Sequence, residues 1–322
     1  MTEERLIPNI KAVNWTFLLM TVLLLTGSIL LQPIIGLGMN IWVNELVWIL
    51  GLVLIVSWKK GYSYQETLKL RKSEGFTLSL SALIGFTIWF PSMFIYTIIE
   101  KIISNNIGTI DIDIEIPLNS PVQAVFTIIG MVVLAPICEE LFFRGFMQGA
   151  YEKYNRKYSW IIVGILFGFF HISNSISNVI SATLLGLIMG YVMLLTNSIW
   201  APIVLHAFNN LTAILFGGIS LIISETDKIP VWFIIVLLLC TILAITFLLI
   251  LKKKYSKEGE PAENDIREEE EAGGRGKFIG IWIVVVIFIL IGFLEISMRI
   301  VDLDTIDLEN FNTGYSIITN DM

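Results

Sequence analysis

Long apolar runs dominate the chain and recur along almost its whole length. A helix of about 20 apolar residues spans the ~30 Å hydrocarbon core of a bilayer. Runs of this kind lie at roughly 13–36, 41–58, 76–99, 121–150, 158–175, 178–196, 199–223, 230–251 and 278–298. The pattern therefore predicts an all-α, polytopic membrane protein with about eight to nine transmembrane helices.

The composition agrees with this pattern. Of the 322 residues, 55% are hydrophobic and 15% are charged, and the mean hydropathy is +0.78. Soluble globular domains carry about 25% charged residues. The two cysteines, Cys138 and Cys240, lie inside apolar runs and indicate no disulfide framework.

Lysine and arginine cluster in three alternate connections, at 59–72, 153–157 and 252–257. Positively charged short loops stay in the cytoplasm, so all three clusters can be cytoplasmic together. With nine spans in a plasma membrane, the N-terminus is then predicted on the cytoplasmic side. The C-terminus and the acidic segments 111–115 and 302–309 are predicted on the outer side. The net charge of −7 comes largely from these segments and the linker, so we expect membrane lipids and no nucleic acid as partners.

The changes in composition divide the chain into five predicted parts. These are N-terminal transmembrane helices with an outer loop (1–120), a core (121–215), a further transmembrane helix (216–251), a charged disordered linker (252–277) and an appended transmembrane helix with an acidic tail (278–322). In the outer loop, isoleucine alternates with acidic residues over 110–116, which is the period of a half-buried strand.

The 121–215 core carries ionisable side chains within its apolar runs: Glu139, Glu140, Arg144, His171 and His206. Such groups cost roughly 2.5–3.5 kcal/mol each on insertion into a bilayer and persist mainly where they face a protein interior and pair. Residues four apart share one face of a helix, which aligns Glu140 with Arg144, and His206 with Asn210. The sequence therefore predicts one buried polar site in a core of four helices.

This set of groups suits amide hydrolysis, which needs a base to deprotonate water and donors to stabilise an oxyanion. Glu140 is the predicted base because it shares a face with Arg144, and His171 is predicted to share the water. His206 and Asn210 can both donate hydrogen bonds and are predicted to hold the oxyanion. Glu139 lies about 100° round the helix from Glu140 and is assigned a supporting role.

A catalytic zinc ion is an open alternative. Two histidines and one glutamate, here His171, His206 and Glu140, match a common zinc set with an open fourth position, and zinc would itself activate the water. The His-Glu-x-x-His helix of zincins is absent, and the ligands would come from three separate helices. Zn²⁺ and a metal-free mechanism therefore both stay open.

Three motifs together resemble the CPBP family of intramembrane proteases, also called the CAAX-protease, Abi or bacteriocin-processing family, which includes the type II CAAX prenyl endopeptidases. They are Glu139-Glu140-Leu-Phe-Phe-Arg144, Phe167-Gly-Phe-Phe-His171 and His206-Ala-Phe-Asn-Asn210, in order and each within an apolar run. The resemblance covers roughly 121–215, and each motif alone would be weak.

The resemblance implies a glutamate-dependent intramembrane endopeptidase that cleaves a membrane-embedded or lipid-anchored peptide. Glu140 and His171 would activate water, His206 and Asn210 would hold the oxyanion, and Glu139 and Arg144 would support them. The family is usually described as metalloproteases, whereas its prenyl-protease branch is also described as metal-free. A prenylated substrate follows only from that branch.

Other interpretations of the same residues are less specific. The protein can be a non-proteolytic membrane protein, either a bacteriocin self-immunity factor or a proton-coupled transporter, although a transporter should show matching halves that this sequence lacks. Glu139, Glu140 and Arg144 can be a buried ion pair that fixes helix register. Glu45 is expected at the membrane interface, and Glu295 with Arg299, one turn apart, is expected to be a surface pair.

Overall fold

The computed structural model describes residues 7–109, 120–226, 229–256 and 275–319, with backbone only for 225, 275 and 302–319. The predicted strand at 110–116 and the linker residues 257–274 lie outside these ranges. Within them the chain is helical and contains no strand, as the hydrophobic pattern predicts.

Twelve α-helices occur in the described residues. In chain order they are α1 (Ile10–Val43), α2 (Leu52–Lys60), α3 (Tyr64–Thr67), α4 (Gly75–Asn106), α5 (Pro121–Ile129), α6 (Ala135–Glu140), α7 (Gln148–Phe170), α8 (Asn178–Thr196), α9 (Trp200–Phe216), α10 (Gly218–Glu225), α11 (Val231–Ser256) and α12 (Ile279–Thr319). Wider π-helical turns join some of them, at Asn44–Gly51, Gly130–Leu134 and Leu141–Met147.

The prediction of a polytopic membrane protein is confirmed. Among the described residues, six continuous helical segments are long and apolar enough to cross a membrane, and α9 with α10 forms a further pair bent by 59°. Two of the six segments, 10–60 and 121–173, contain 51 and 53 residues. At 1.5 Å per residue each would extend about 75–80 Å, which is more than twice the ~30 Å core of a bilayer.

Both long segments in fact fold back on themselves. In the first, Gly36 adopts φ 76° and the chain reverses there. Asn44 therefore donates a hydrogen bond to Ser28 Oγ at 2.9 Å, across 16 residues of sequence. In the second, Asn155 adopts extended backbone angles, φ −155° and ψ 95°. With the two long segments divided at their reversals and the bent pair counted as one, the described residues contain nine apolar helical runs, where the sequence predicts eight to nine transmembrane helices.

The three basic clusters lie at one end of the bundle. Lys69 pairs with Glu152, next to the second cluster, and Lys254 of the third cluster pairs with Glu74. Helix α7 runs from this end towards His171 after its reversal at Asn155, so His171 lies at the opposite end. Which end faces the cytoplasm stays a prediction.

Glycines allow the core helices to approach each other closely. Gly164 of α7 lies against Gly186 of α8, and a Cβ atom on Gly164 would stand 2.8 Å from the backbone nitrogen of Leu187. Close packing rather than hydrophobicity drives helix association in lipid, and small residues permit it. This α7–α8 contact brings the backbone of α8 next to the polar groups of the core.

Helix α12 packs into the bundle along α1. Gly280 lies against the backbone of Asn14, and the Phe288 ring meets the Phe17 ring edge-on at a centroid distance of 6.2 Å. Farther along α12, Glu295 and Arg299 are only 4% and 1% exposed. The expectation of a surface pair is therefore wrong, because α12 turns this face towards other helices.

Replacing Gly164 with alanine should destabilise the protein by about 1–3 kcal/mol, as in other overpacked cores. The added methyl group would press on the α8 backbone, which cannot move aside as a flexible side chain can. Gly149→Ala is the matched control, because its Cβ would meet only the end of the Lys69 side chain at 3.7 Å. Thermal unfolding in detergent measures both, and equal stability of the two variants would contradict this packing.

Candidate active site

Glu140 accepts two hydrogen bonds on one carboxylate oxygen. Its Oε1 receives Arg144 Nη1 at 2.9 Å, one turn along the same segment, and His206 Nδ1 of α9 at 2.9 Å. The side chains of Glu140 and Arg144 are fully buried, and that of His206 is 4% exposed. Both hydrogen bonds fall on Oε1, and Oε2 is buried without a hydrogen-bond partner among the described residues, so Glu140 is enclosed by protein and has little access to a substrate.

Arg144 is held in place by groups beyond Glu140. Its Nη2 donates to the carbonyl oxygen of Gly186 at 3.1 Å, and its guanidinium carbon lies 4.3 Å from the centre of the Phe167 ring. The carbonyl belongs to a glycine at which α7 and α8 approach closely, since a Cβ on Gly186 would stand 2.6 Å from the carbonyl oxygen of Gly164. Close helix packing therefore supplies one of the partners that makes a buried guanidinium tolerable.

Glu139 and His171 form a second, more accessible pair. His171 Nε2 stands 4.0 Å from Glu139 Oε2, and the two side chains are 17% and 10% exposed. His171 Nδ1 lies 2.9 Å from the carbonyl oxygen of Phe167, which can only accept, so the proton is assigned to Nδ1. In the neutral ring Nε2 then carries the lone pair and faces Glu139.

The Phe167 ring lies between the two histidines. Its centroid is 4.5 Å from that of His171 and 5.8 Å from that of His206, and the side chain is fully buried. Together with the contact to Arg144, these packing interactions fix the relative position of both polar pairs. Asn210, one turn after His206 on α9, donates through Nδ2 to the carbonyl oxygen of Met131 at 2.8 Å.

The pairing between helices differs from the one expected from sequence. The structure joins Glu140, Arg144 and His206 in one buried group and sets Glu139 opposite His171, whereas the sequence-based prediction paired Glu140 with His171. Asn210 shares α9 with His206 but uses its amide on a backbone carbonyl.

Comparison with known proteins finds one protein family that resembles part of the chain. Residues 121–212, fewer than a third of the chain, match the family model described as type II CAAX prenyl endopeptidase Rce1-like. The matched segment contains all three motifs. Residues 121–212 belong to the CAAX-protease family. No curated protein and no solved structure matches the chain.

The CAAX-protease core is adjoined by a carboxylate from outside the matched segment. Glu45 lies in the Asn44–Gly51 turn, which packs against α6 beside Glu139, and it is 7% exposed. The expectation that Glu45 reaches the membrane interface is therefore wrong. Sequence reasoning missed its position because nothing in the α1–α2 hairpin indicates which face meets the core.

The described residues of the CAAX-protease core do not fit a metal ion as they are arranged. No three side chains of histidine, cysteine, aspartate or glutamate stand close enough together there to share one. Of the three candidate ligands, Glu140 and His206 already bond each other, and His171 faces Glu139 instead. Zinc binding by these residues stays a prediction.

The two glutamates of the CAAX-protease core should differ in their effect on stability. Glu140→Gln leaves Arg144 buried without its counter-charge, which should cost about 3–5 kcal/mol. Glu139→Gln removes no hydrogen bond from Arg144 and should unfold close to the wild-type temperature. Thermal unfolding in detergent compares the two, and a larger loss for Glu139→Gln would contradict the assignment of Glu140 to the buried group.

Proposed function

We propose that the protein is an intramembrane endopeptidase that hydrolyses a peptide bond in a membrane-associated substrate, with Glu139 and His171 activating the water. The observation that supports this proposal is the 4.0 Å gap between His171 Nε2 and Glu139 Oε2, a carboxylate oxygen that has no hydrogen-bond partner in the described part of the chain. A gap wider than a direct hydrogen bond is where a bridging water belongs. Membership of residues 121–212 in the CAAX-protease family supports the reaction class.

In the proposed reaction, Glu139 takes one proton from the water while the Nε2 lone pair of His171 accepts a hydrogen bond from the other. The hydroxide oxygen forms a bond to the carbonyl carbon, and the π electrons of the carbonyl move to its oxygen. When the tetrahedral intermediate collapses, the carbon–nitrogen bond breaks and Glu139 returns its proton to the leaving nitrogen. One water is consumed, and a carboxyl and an amino terminus are formed.

The oxyanion would be held from α9. His206 already uses Nδ1 on Glu140, so it can offer only Nε2 to a substrate. A histidine ring donates from both nitrogens at once only when it carries a positive charge. We propose that His206 has this form in the reacting state. Asn210 has a second amide N–H besides the one given to Met131. Glu140 and Arg144 then act as a scaffold that orients His206.

We propose the substrate class from the family alone. The family description refers to prenyl endopeptidases, so a prenylated C-terminal peptide is the first substrate to test. An unmodified transmembrane peptide is the second, because a site among lipid-facing helices can also receive a helix from the bilayer. No structural feature of the described residues favours a transporter or an immunity factor.

Cleavage in proteoliposomes tests the proposed catalytic pair. Glu139→Gln and His171→Gln should each lower kcat roughly 10²–10⁴-fold, the usual contribution of a general base, without unfolding the protein. Glu66→Gln is the matched control, because its carboxylate, on the short helix α3, pairs with Arg71 and both side chains are exposed. Wild-type cleavage rates in folded Glu139→Gln would contradict the proposal, and so would a failure of the wild type to cleave either peptide class.

Removal of metal should leave the cleavage rate unchanged. The reason is that Glu140 and His206 are already engaged with each other and Arg144, as an ion pair rather than as open ligands. Activity is measured before and after incubation with a membrane-permeant chelator, together with the zinc content of the purified protein. Loss of activity on chelation, restored by one equivalent of Zn²⁺, would contradict the metal-free mechanism.

A further inference from the structure

Helix α12 contacts the segment that follows His171. Glu295 accepts the backbone N–H of Ile176 on Oε2 at 2.6 Å and the Ser175 hydroxyl on Oε1 at 3.2 Å. Both donors lie in the short connection between His171 and α8. The connection has no regular helix of its own beyond the 3₁₀ turn His171–Ser173, so it depends on outside partners for its shape.

Arg299 links this contact to a third part of the chain. Its two terminal nitrogens donate to both oxygens of Glu100 on α4, at 2.7 and 3.0 Å, and its Nε donates to Glu295 Oε1 at 3.0 Å. Glu100 in turn accepts the hydroxyl of Ser177. Two carboxylates and one guanidinium thus bind residues 175–177 of the connection.

The polar network lies close to His171 along the backbone. Asn174 N–H donates to the carbonyl oxygen of His171 at 3.1 Å. Ile172, which follows His171, is 5% exposed and lies against Gly292 of α12. A Cβ atom on Gly292 would stand 3.1 Å from Ile172 Cδ1. A shift of α12 would therefore move the backbone on which the His171 ring is mounted.

The buried ion pairs of Glu100, Glu295 and Arg299 are better explained by a role in fixing one geometry than by a gain in overall stability. Burying an ion pair gains little stability over apolar packing of the same size, although breaking one partner is costly. A buried network with satisfied groups does, however, fix one geometry. This one joins α4 and α12 to the connection beside the proposed catalytic pair, and its charged residues Glu100, Glu295 and Arg299 all lie outside the family-matched segment 121–212.

We propose that Glu295 and Arg299 of α12 are positioning residues, which hold the 171–177 connection and thereby keep His171 opposite Glu139. The effect of these residues on catalysis rests on the proposed function. The last transmembrane helix is accordingly a working part of the protease core. Displacement of a reacting group by about 1 Å can lower a rate about 10²-fold, so a loosened connection should reduce turnover more than substrate binding.

Hydrogen exchange and kinetics on the full chain test this proposal together. In Glu295→Ala, amides of 171–177 should exchange faster than in wild type, because Ile176 N–H loses its acceptor. The kcat for peptide cleavage should fall roughly 10- to 100-fold, with KM changed less than twofold. Glu295→Gln keeps an oxygen that can accept from Ile176 and should recover much of both losses.

Two control variants on α12 separate positioning from general packing. Leu294→Ala, at a side chain 61% exposed, should match wild type. Val284→Ala removes a fully buried contact about three turns before Glu295 on α12 and should lower the unfolding temperature without faster exchange at 171–177. If Val284→Ala lowers kcat as much as Glu295→Ala does, α12 acts through packing alone and the proposal fails.

The exchange readout also separates this proposal from the proposed function. Unchanged exchange at 171–177 in Glu295→Ala overturns the positioning role, whatever the activity. If wild type shows no cleavage that depends on Glu139, the proposed function fails, while the exchange measurement still decides whether α12 holds the connection.

Discussion

The cost of placing charge in hydrocarbon governs this structure. Arg144 and Arg299 are both almost completely buried; Arg144 pairs with Glu140, Arg299 pairs with Glu100 and Glu295, and each also donates to a backbone carbonyl. Because an unpaired charge there would be prohibitive, helices that carry a charge must dock against helices that carry its partner. The two arginines therefore fix which helices are neighbours, α8 and α9 around the first and α4 and α12 around the second.

Close backbone approach makes the first of these arrangements possible. The carbonyl that receives Arg144 belongs to Gly186, and any larger residue there would separate α7 from α8. Phe167 then fills the space between Arg144, His171 and His206. The buried group of Glu140, Arg144 and His206 is in this way held in one geometry beside Glu139 and His171, between which we propose that the water binds.

Much of the fold, but less of the site, could be predicted from the sequence. Apolar runs gave the membrane helices, and the four-residue spacing correctly joined Glu140 to Arg144. Spacing within one helix says nothing about the rotation of its neighbours, however. Glu139 and Glu140 point about 100° apart, so the choice of which one meets His171 depends on tertiary packing. For the same reason Glu295 and Arg299 read as a surface pair, although α12 buries them.

We propose that Glu139, and not Glu140, exchanges protons with the attacking water. Chemical rescue is the sharpest test, because a small carboxylate can enter the space left by a truncated glutamate. Cleavage by Glu139→Gly and Glu140→Gly is measured in proteoliposomes with increasing formate. We expect a formate-dependent gain in rate for Glu139→Gly alone. Rescue of Glu140→Gly, with none for Glu139→Gly, would show that Glu140 is the base instead.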